Sequence, residues 1–320
     1  MAKYLVFDIG GTFIKYALSD EEGNLTEHGK VPTPHTTAED FFKVMGEIGD
    51  QYKDRIEACA VSMPGKIDTD KGISVSAGAL THLLRGCHVG EILSERFGCP
   101  VTVGNDGKCA AAAEAWKGAV KDYANGLVIV MGTATGGGVI IDHRVYLGTT
   151  FTAGELSHFI YDQPAITAGY DPHTDLQGMF RGSPYMMSYA SANGYIIEYM
   201  HRKGLTLDQK VSGEEFFAKV RERDADACGT LQYVSKAIAS SILALQAVLD
   251  VGVVAIGGGI SEAPELIEAI REETHDAFVR HMDSFPLTEP AIVRCCFGAD
   301  ANLIGALKLH MEQTEKKNRG

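Results

Sequence analysis

Three groups of residues in this sequence could do chemistry together. The pair Asn105-Asp106 stands where a strand-type run, Pro100 to Gly104, gives way to the alanine-rich helical run Ala110 to Trp116. A carboxylate there could accept a proton from a substrate hydroxyl during transfer of a γ-phosphoryl group, with Asn105 hydrogen-bonding the same substrate. It could equally be a helix N-cap, a position that Asp and Asn favour. Glu155 and His158, three apart, share one face of a helix or turn and could supply fixed acceptors and donors for a polyol. Read as Thr152xxGlu155, the same stretch is a capping box. The third group is three glycine-rich turns: Asp8-Ile9-Gly10-Gly11-Thr12, Gly132-Thr133-Ala134-Thr135-Gly136-Gly137-Gly138 and Gly257-Gly258-Gly259. Their bare N–H groups and the Thr12 hydroxyl can hydrogen-bond phosphate oxygens, and Asp8 could hold a hydrated metal; a plain hairpin turn is the alternative for each. None has the GxxxxGK[ST] spacing of a P-loop.

The elements that must position these groups follow from the pattern. Shifted by 122 positions, Leu5-Val6-Phe7 overlays Leu127-Val128-Ile129, Gly10 overlays Gly132 and Leu18 overlays Ile140. Two strand-turn-strand units so related suggest a duplicated fold. Between them, Ala38 to Tyr52 reads as an amphipathic helix, Ala58 to Ser62 as a strand ending at Met63-Pro64-Gly65, and Val89 to Phe97 as a helix. After the second unit comes a Pro-, Gly- and Asp-rich loop, Tyr161 to Pro184. Helices are expected over Ala190 to His201 and Gly213 to Arg223, and on the long apolar face Leu231 to Leu249. A strand Val251 to Ile256 leads into the third glycine turn and a helix with Ser261 as cap and Pro264 in its first turn. Strand Ile292 to Cys296 and a closing helix from Ala301 end the chain. The closing helix is expected to pack on the first half. That division gives a small α/β domain, 1–117 completed by 298–320, and a larger one, 118–297. Strand-end loops of such sheets converge on one edge, where ligands bind.

Composition narrows the function classes. At 320 residues two domains are the default. A net charge of −13 argues against a nucleic-acid groove or an anionic membrane surface. Seven cysteines without CxxC spacing and no signal peptide before Lys3 imply a reducing cytoplasm.

Taken in order, Asp8 to Thr12, Pro64-Gly65, Ala77-Gly78-Ala79-Leu80, Asn105-Asp106, Gly132 to Gly138, Ala153-Gly154-Glu155-Leu156-Ser157-His158 and Gly257 to Gly259 resemble the ROK sugar kinases. The resemblance spans nearly the whole chain. It implies an α/β protein of two related domains with the ribonuclease H-like/actin-like ATPase fold, closing on ATP, Mg²⁺ and a sugar, and a homodimer as the family habit. It makes Asp106 the catalytic base. Asn105, Glu155 and His158 become binders of sugar hydroxyls, with Gly65 beside them. The first two turns, through Gly10, Gly11, Thr12, Gly132 and Thr133, bind phosphates. Gly257 to Gly259 lie beside the adenosine, and Asp8 stands near Mg²⁺.

Two departures from the family pattern bear on substrate. The cysteine cluster that usually binds a structural zinc after the His motif is missing, since no cysteine lies between Cys109 and Cys228. Asp171, His173 and Asp175 could imitate a metal site, but their spacing fits an ordinary polar loop equally well. Where relatives carry a Glu near the anomeric hydroxyl, aligning Tyr189-Ala190-Ser191 with the usual pattern puts Met187. Losing that acceptor makes room for a glycosidic substituent, a combination that resembles the β-glucoside kinase branch. Glucokinase and N-acetylmannosamine kinase are the alternatives. A family repressor would need a DNA-binding segment ahead of Lys3. A non-catalytic sugar sensor would need no base at 106.

Overall fold

The computed structural model describes residues 3–76, 82–160, 183–206, 208–281 and 287–319. Two five-stranded sheets of one topology carry the chain. The first has the order β3-β2-β1-β4-β7 and is built from β1 (Tyr4–Ile9), β2 (Phe13–Ser19), β3 (Leu25–Pro32), β4 (Ala58–Met63) and β7 (Val101–Asn105). The second, β10-β9-β8-β11-β12, uses β8 (Gly126–Met131), β9 (Thr135–Ile141), β10 (Arg144–Val145), β11 (Val253–Gly257) and β12 (Ala291–Arg294). A small hairpin, β5 (Ile67–Asp68) and β6 (Ile73–Ser74), stands apart. In each sheet the first three strands in chain order pair antiparallel and the last two join in parallel. The 122-residue offset holds to the residue for β1 with β8 and for β2 with β9. The second hairpin turn is one residue shorter, its ladder closing at Met131 and Thr135 rather than at Ile9 and Ile14.

Side-chain alternation along these strands makes three cores. Leu5, Phe7 and Ile9 face one way, onto Phe41, Met45 and Ile48 of α1 (Ala38–Gly49) and Leu93 and Phe97 of α2 (Val89–Phe97). Leu127, Ile129 and Met131 do the same in the second sheet. There they meet Tyr195, Phe216, Ile238 and Ile270 from α4 (Ala192–Arg202), α5 (Gly213–Arg221), α6 (Ala225–Leu249) and α7 (Pro264–His281). The opposite faces, Val6 and Ala60 of one sheet and Val128, Ile140 and Ala255 of the other, share a third core with α3 (Asp106–Lys117) and α8 (Ala301–Arg319). Residues on β1 and β8 with even numbers therefore point into the layer between the sheets. Asp8 is one of them.

The helices of this middle layer cross over. The closing helix α8 packs on β1, β4 and β7 of the first sheet, and α3, which follows β7 in sequence, lies against β8, β9 and β10 of the second. Glycine permits the approach: a Cβ on Gly138 would sit 2.5 Å from the Ala111 Cβ, and one on Gly107 2.5 Å from the Gly137 nitrogen. This corrects the sequence reading of Gly132 to Gly138 as one turn. Gly132 to Ala134 form the turn, whereas Thr135 to Gly138 belong to β9, where the absent side chains let a helix press on the sheet. Two further expectations shift. Ser261 does not cap α7; it lies in a short 3-10 turn, Gly259–Glu262, and its Oγ donates to the Gly258 carbonyl at 2.7 Å, while Pro264 is the first helical residue. Strand β3, mostly exposed and without an apolar run, has no counterpart in the sequence reading.

Candidate active site

The start of α3 fixes the pair read as catalytic. Asn105 is the N-cap, its Oδ1 accepting from the Lys108 N–H at 3.1 Å. Its Nδ2 donates to the Gly65 carbonyl and to Asp106 Oδ1, both at 3.0 Å. The capping task thus falls to Asn105, and the Asp106 side chain is released from it. Asp106 Oδ1 also accepts from the Gly107 N–H at 2.8 Å, and among the described residues Oδ2 has no hydrogen-bond partner. Burial raises the Asp106 carboxyl above its ordinary range. The Gly107 N–H and the Lys108 ammonium oppose that shift, while the Asp8 and Glu155 carboxylates add to it. A carboxylate so placed is a better proton acceptor than a solvated one. Asn105 spends both amide hydrogens on protein partners, so in this structure it orients Asp106 and Gly65.

A cavity of about 800 Å³ is lined by Gly65, whose carbonyl Asn105 holds, with Lys66, Glu155, His158 and an apolar wall including Tyr146, Leu245 and Val248; Asp106 is not among its lining residues. Glu155 and His158 are joined by a 3-10 turn, the His158 N–H donating to the Glu155 carbonyl at 3.1 Å. Such a turn brings i and i+3 to one side, as the spacing implied. The turn begins after Glu155 rather than after Thr152, whose Oγ1 pairs with Thr150 Oγ1 at 3.0 Å, so the capping-box alternative fails. His158 is exposed and its ring meets Tyr185 edge-on at 6.2 Å between centroids. Glu155 bonds to the ammonium of Lys108, which is 1% exposed.

A second cavity, of about 420 Å³, is lined from both sheets: Asp8 and Lys15 from the first, Val130, Gly132, Thr133, Gly257 and Gly258 from the second, with Glu114 and Glu262 beside them. Gly258 has φ of 91°, and a Cβ there would lie 2.2 Å from the Met131 carbonyl oxygen, so the strand-end cradle requires glycine. Gly10, Gly11, Thr12 and Gly259 are not among its lining residues, although the hairpin that the first three close supplies Asp8 and Lys15. Asp8 is nearly buried. Its Oδ1 accepts from Asn302 Nδ2 at 2.8 Å and Ser62 Oγ at 3.4 Å, and Lys15 Nζ stands 3.5 Å from Oδ2.

These residues fit a nucleotide with Mg²⁺. Four glycines and Lys15 share the lining with Asp8, Glu114 and Glu262. Among the described residues no group of three or more His, Cys, Asp or Glu could form a preformed metal cage. A single oriented carboxylate suits Mg²⁺, which keeps waters and leans on substrate phosphates.

Sequence reasoning missed Lys108, Glu114 and Asn302. Glu114 is 1% exposed, and its two oxygens accept the N–H groups of Ala119, Cys296 and Phe297 at 2.8–3.2 Å, tying α3 to the segment before α8. A signal was available. A helix that is alanine on every face is buried all round, so a Lys and a Glu inside it must have partners. The Asn302 bond joins residues 294 apart, and nothing local announces it. Ala77 to Leu80, the loop 161–182 with Asp171, His173 and Asp175, and the side chain of Met187 lie outside the described residues. The Met187 backbone belongs to a 3-10 turn, Met186–Ser188.

Two sheets of one topology, with a glycine-lined cavity between their strand ends, define an actin-like ATPase fold. A family model described as the ROK family matches residues 4–313. The chain is 26% identical over 327 residues to the beta-glucoside kinase of Listeria monocytogenes, with 99% of each chain covered. It is 26% identical over 313 residues to the N-acetyl-D-glucosamine kinase of Salmonella typhimurium, covering 96% of this chain and 99% of that one. The crystal structure of a ROK hexokinase from Thermus thermophilus is similar with a TM-score of 0.79 and 25% identity, covering 98% of this chain and all of that one. The chain belongs to the ROK family.

Proposed function

We propose that this protein transfers the γ-phosphoryl group of ATP to the 6-hydroxyl of a hexose or of the non-reducing glucose of a β-glucoside. The class, a carbohydrate kinase, follows from family membership and from full-length relatives of that name. The finer reading rests on one observation: the Asp106 carboxyl is close enough to feel both the Asp8 carboxylate, which lines the smaller cavity, and the Glu155 carboxylate, which lines the larger one.

In this reading Glu155 and His158 hold sugar hydroxyls. Thr133, Gly257 and Gly258 offer backbone N–H groups to the nucleotide, while Gly132, whose N–H is held by the Ala134 carbonyl, shapes the turn. Asp8, steadied by Asn302 and Ser62, faces the Mg²⁺ that neutralises phosphate charge when bound. Asp106 accepts the proton of the attacking hydroxyl as its oxygen bonds to the γ-phosphorus and the bond to ADP breaks. The apolar wall of the larger cavity, with room beyond one pyranose ring, favours a substituted sugar over free glucose.

A panel of glucose, cellobiose, N-acetylglucosamine and N-acetylmannosamine with ATP and Mg²⁺ tests this. The β-glucoside should give the highest kcat/KM, and a clear preference for free glucose would remove the glycoside reading while keeping the kinase. The kcat/KM should fall as pH drops through the raised Asp106 pKa, because the base must be ionised; a flat profile on the acid side would assign the proton elsewhere.

A further inference from the structure

Lys108 has no role in the chemistry described so far, yet its setting is unusual. It sits two residues beyond Asp106 on α3, among Cys109, Ala110, Ala111 and Ala112, and is 1% exposed. Leaving an ammonium there unpaired would be severely destabilising. Its Nζ donates to Glu155 Oε1, and among the described residues that is its one hydrogen-bond partner. Glu155 comes from the second half of the chain and lines the larger cavity with a side chain 30% exposed. The bond therefore runs from the helix that carries the base to the turn that carries the sugar acceptor, across the packing of Gly107 on Gly137.

Resting on the sugar-kinase reading, we propose that Lys108 is a positioning residue for the acceptor sugar. It locks the Glu155 carboxylate to α3, so that the hydroxyls held by Glu155 and the hydroxyl deprotonated by Asp106 share one rigid frame. Two physical consequences follow. Glu155 Oε1 is engaged by the Lys108 ammonium, which leaves Oε2 as an acceptor for a sugar hydroxyl. Lys108 also sets a positive charge beside Asp106, opposing there the Asp8 and Glu155 carboxylates; Asp8 on β1 is itself paired with Lys15 on β2. A side chain at 108 that could not reach Glu155 would leave the sugar motif intact in sequence and misplaced in space.

A double-mutant cycle tests this with Lys108→Met, Glu155→Gln and the pair, measuring sugar KM, ATP KM and kcat. Lys108→Met should raise sugar KM and lower kcat so that kcat/KM for sugar drops roughly 10- to 100-fold, the scale of a small misplacement, while ATP KM changes less than about twofold. The double variant should be no worse than Glu155→Gln alone, because Lys108 acts through Glu155. Multiplicative losses, or an unchanged sugar KM in Lys108→Met, would overturn the proposal. Should Lys108→Met fail to fold, Lys108→Gln, which can still donate to Glu155, should give the same pattern at reduced size. Urea midpoints of the same proteins read the pairing without any substrate: non-additive shifts are expected, and additive ones would refute the pair. If the wild-type protein turned over no sugar while the midpoints remained coupled, the kinase reading would fail and the positioning role with it, but the ion pair would stand.

Discussion

The hairpins β1–β2 and β8–β9 occupy matching places in matching sheets, and they have opposite contents. Asp8 and Val130 are equivalent positions, both on the inner face and both lining the smaller cavity, one a carboxylate and the other a methyl surface. Lys15 on the first hairpin corresponds to Gly137 on the second, where a Cβ would sit 2.3 Å from the Val128 carbonyl oxygen. Duplication set two like frames face to face. Divergence then put the charges, Asp8, Lys15 and Asp106, in the first half and gave the second a flat glycine surface for α3. A phosphoryl-transfer site between two such halves needs its charges fixed on one side and a close backbone approach on the other.

Substitutions can break this division of labour in order of severity. Gly258→Val should be the most damaging, since its φ of 91° and the 2.2 Å approach to Met131 O leave no room. A loss of about 3 kcal/mol or more in urea unfolding, with ATP binding abolished, is expected. Gly138→Ala should cost about 2 kcal/mol by forcing β9 away from Ala111, and a neutral result would mean that α3 does not depend on that approach. Val130→Asp makes the two hairpins alike. It should raise ATP KM roughly tenfold by adding a carboxylate opposite Asp8 in the cavity assigned to the phosphates, with sugar KM little changed. Gly132→Ala should be the mildest, within about 0.5 kcal/mol, because the nearest atom to its Cβ is Ala134 O at 3.6 Å. Were it as harmful as Gly138→Ala, the distinction between turn glycines and packing glycines would be lost.

Much of this was legible in the sequence, and the reason differs by region. The 122-residue echo exposed both hairpins because identical pleats demand identical alternation. The strand-to-helix step at Asn105-Asp106 was visible from a β-type run meeting alanines. What stayed hidden is tertiary. Glycines in β9 and glycines in a turn are the same letters, and only the approach of α3 tells them apart. The cap at Asn105 rather than Asp106 depends on which of two good cappers carries the extended φ/ψ, a choice that neighbouring strands impose. Lys108–Glu155 and Asp8–Asn302 join residues distant in sequence, and burial makes each pairing obligatory without naming the partner.

Asp106, the proposed base, is the residue on which the kinase mechanism depends most. Its most direct test is Asp106→Asn, with sugar-dependent ATP turnover, sugar binding by calorimetry and thermal unfolding measured on one preparation. Turnover should fall by roughly 10²- to 10⁴-fold while sugar affinity stays within a few-fold. The folded carboxyl is raised above its unfolded value, so its contribution to stability is full below the unfolded pKa and is lost as pH rises through the folded one. Near neutral pH the ionised group is therefore a burden, and Asp106→Asn should unfold at the wild-type temperature or higher, the gap closing in acid. A well-folded Asp106→Asn protein that binds sugar and still turns over ATP at a tenth of the wild-type rate or better would contradict the assignment.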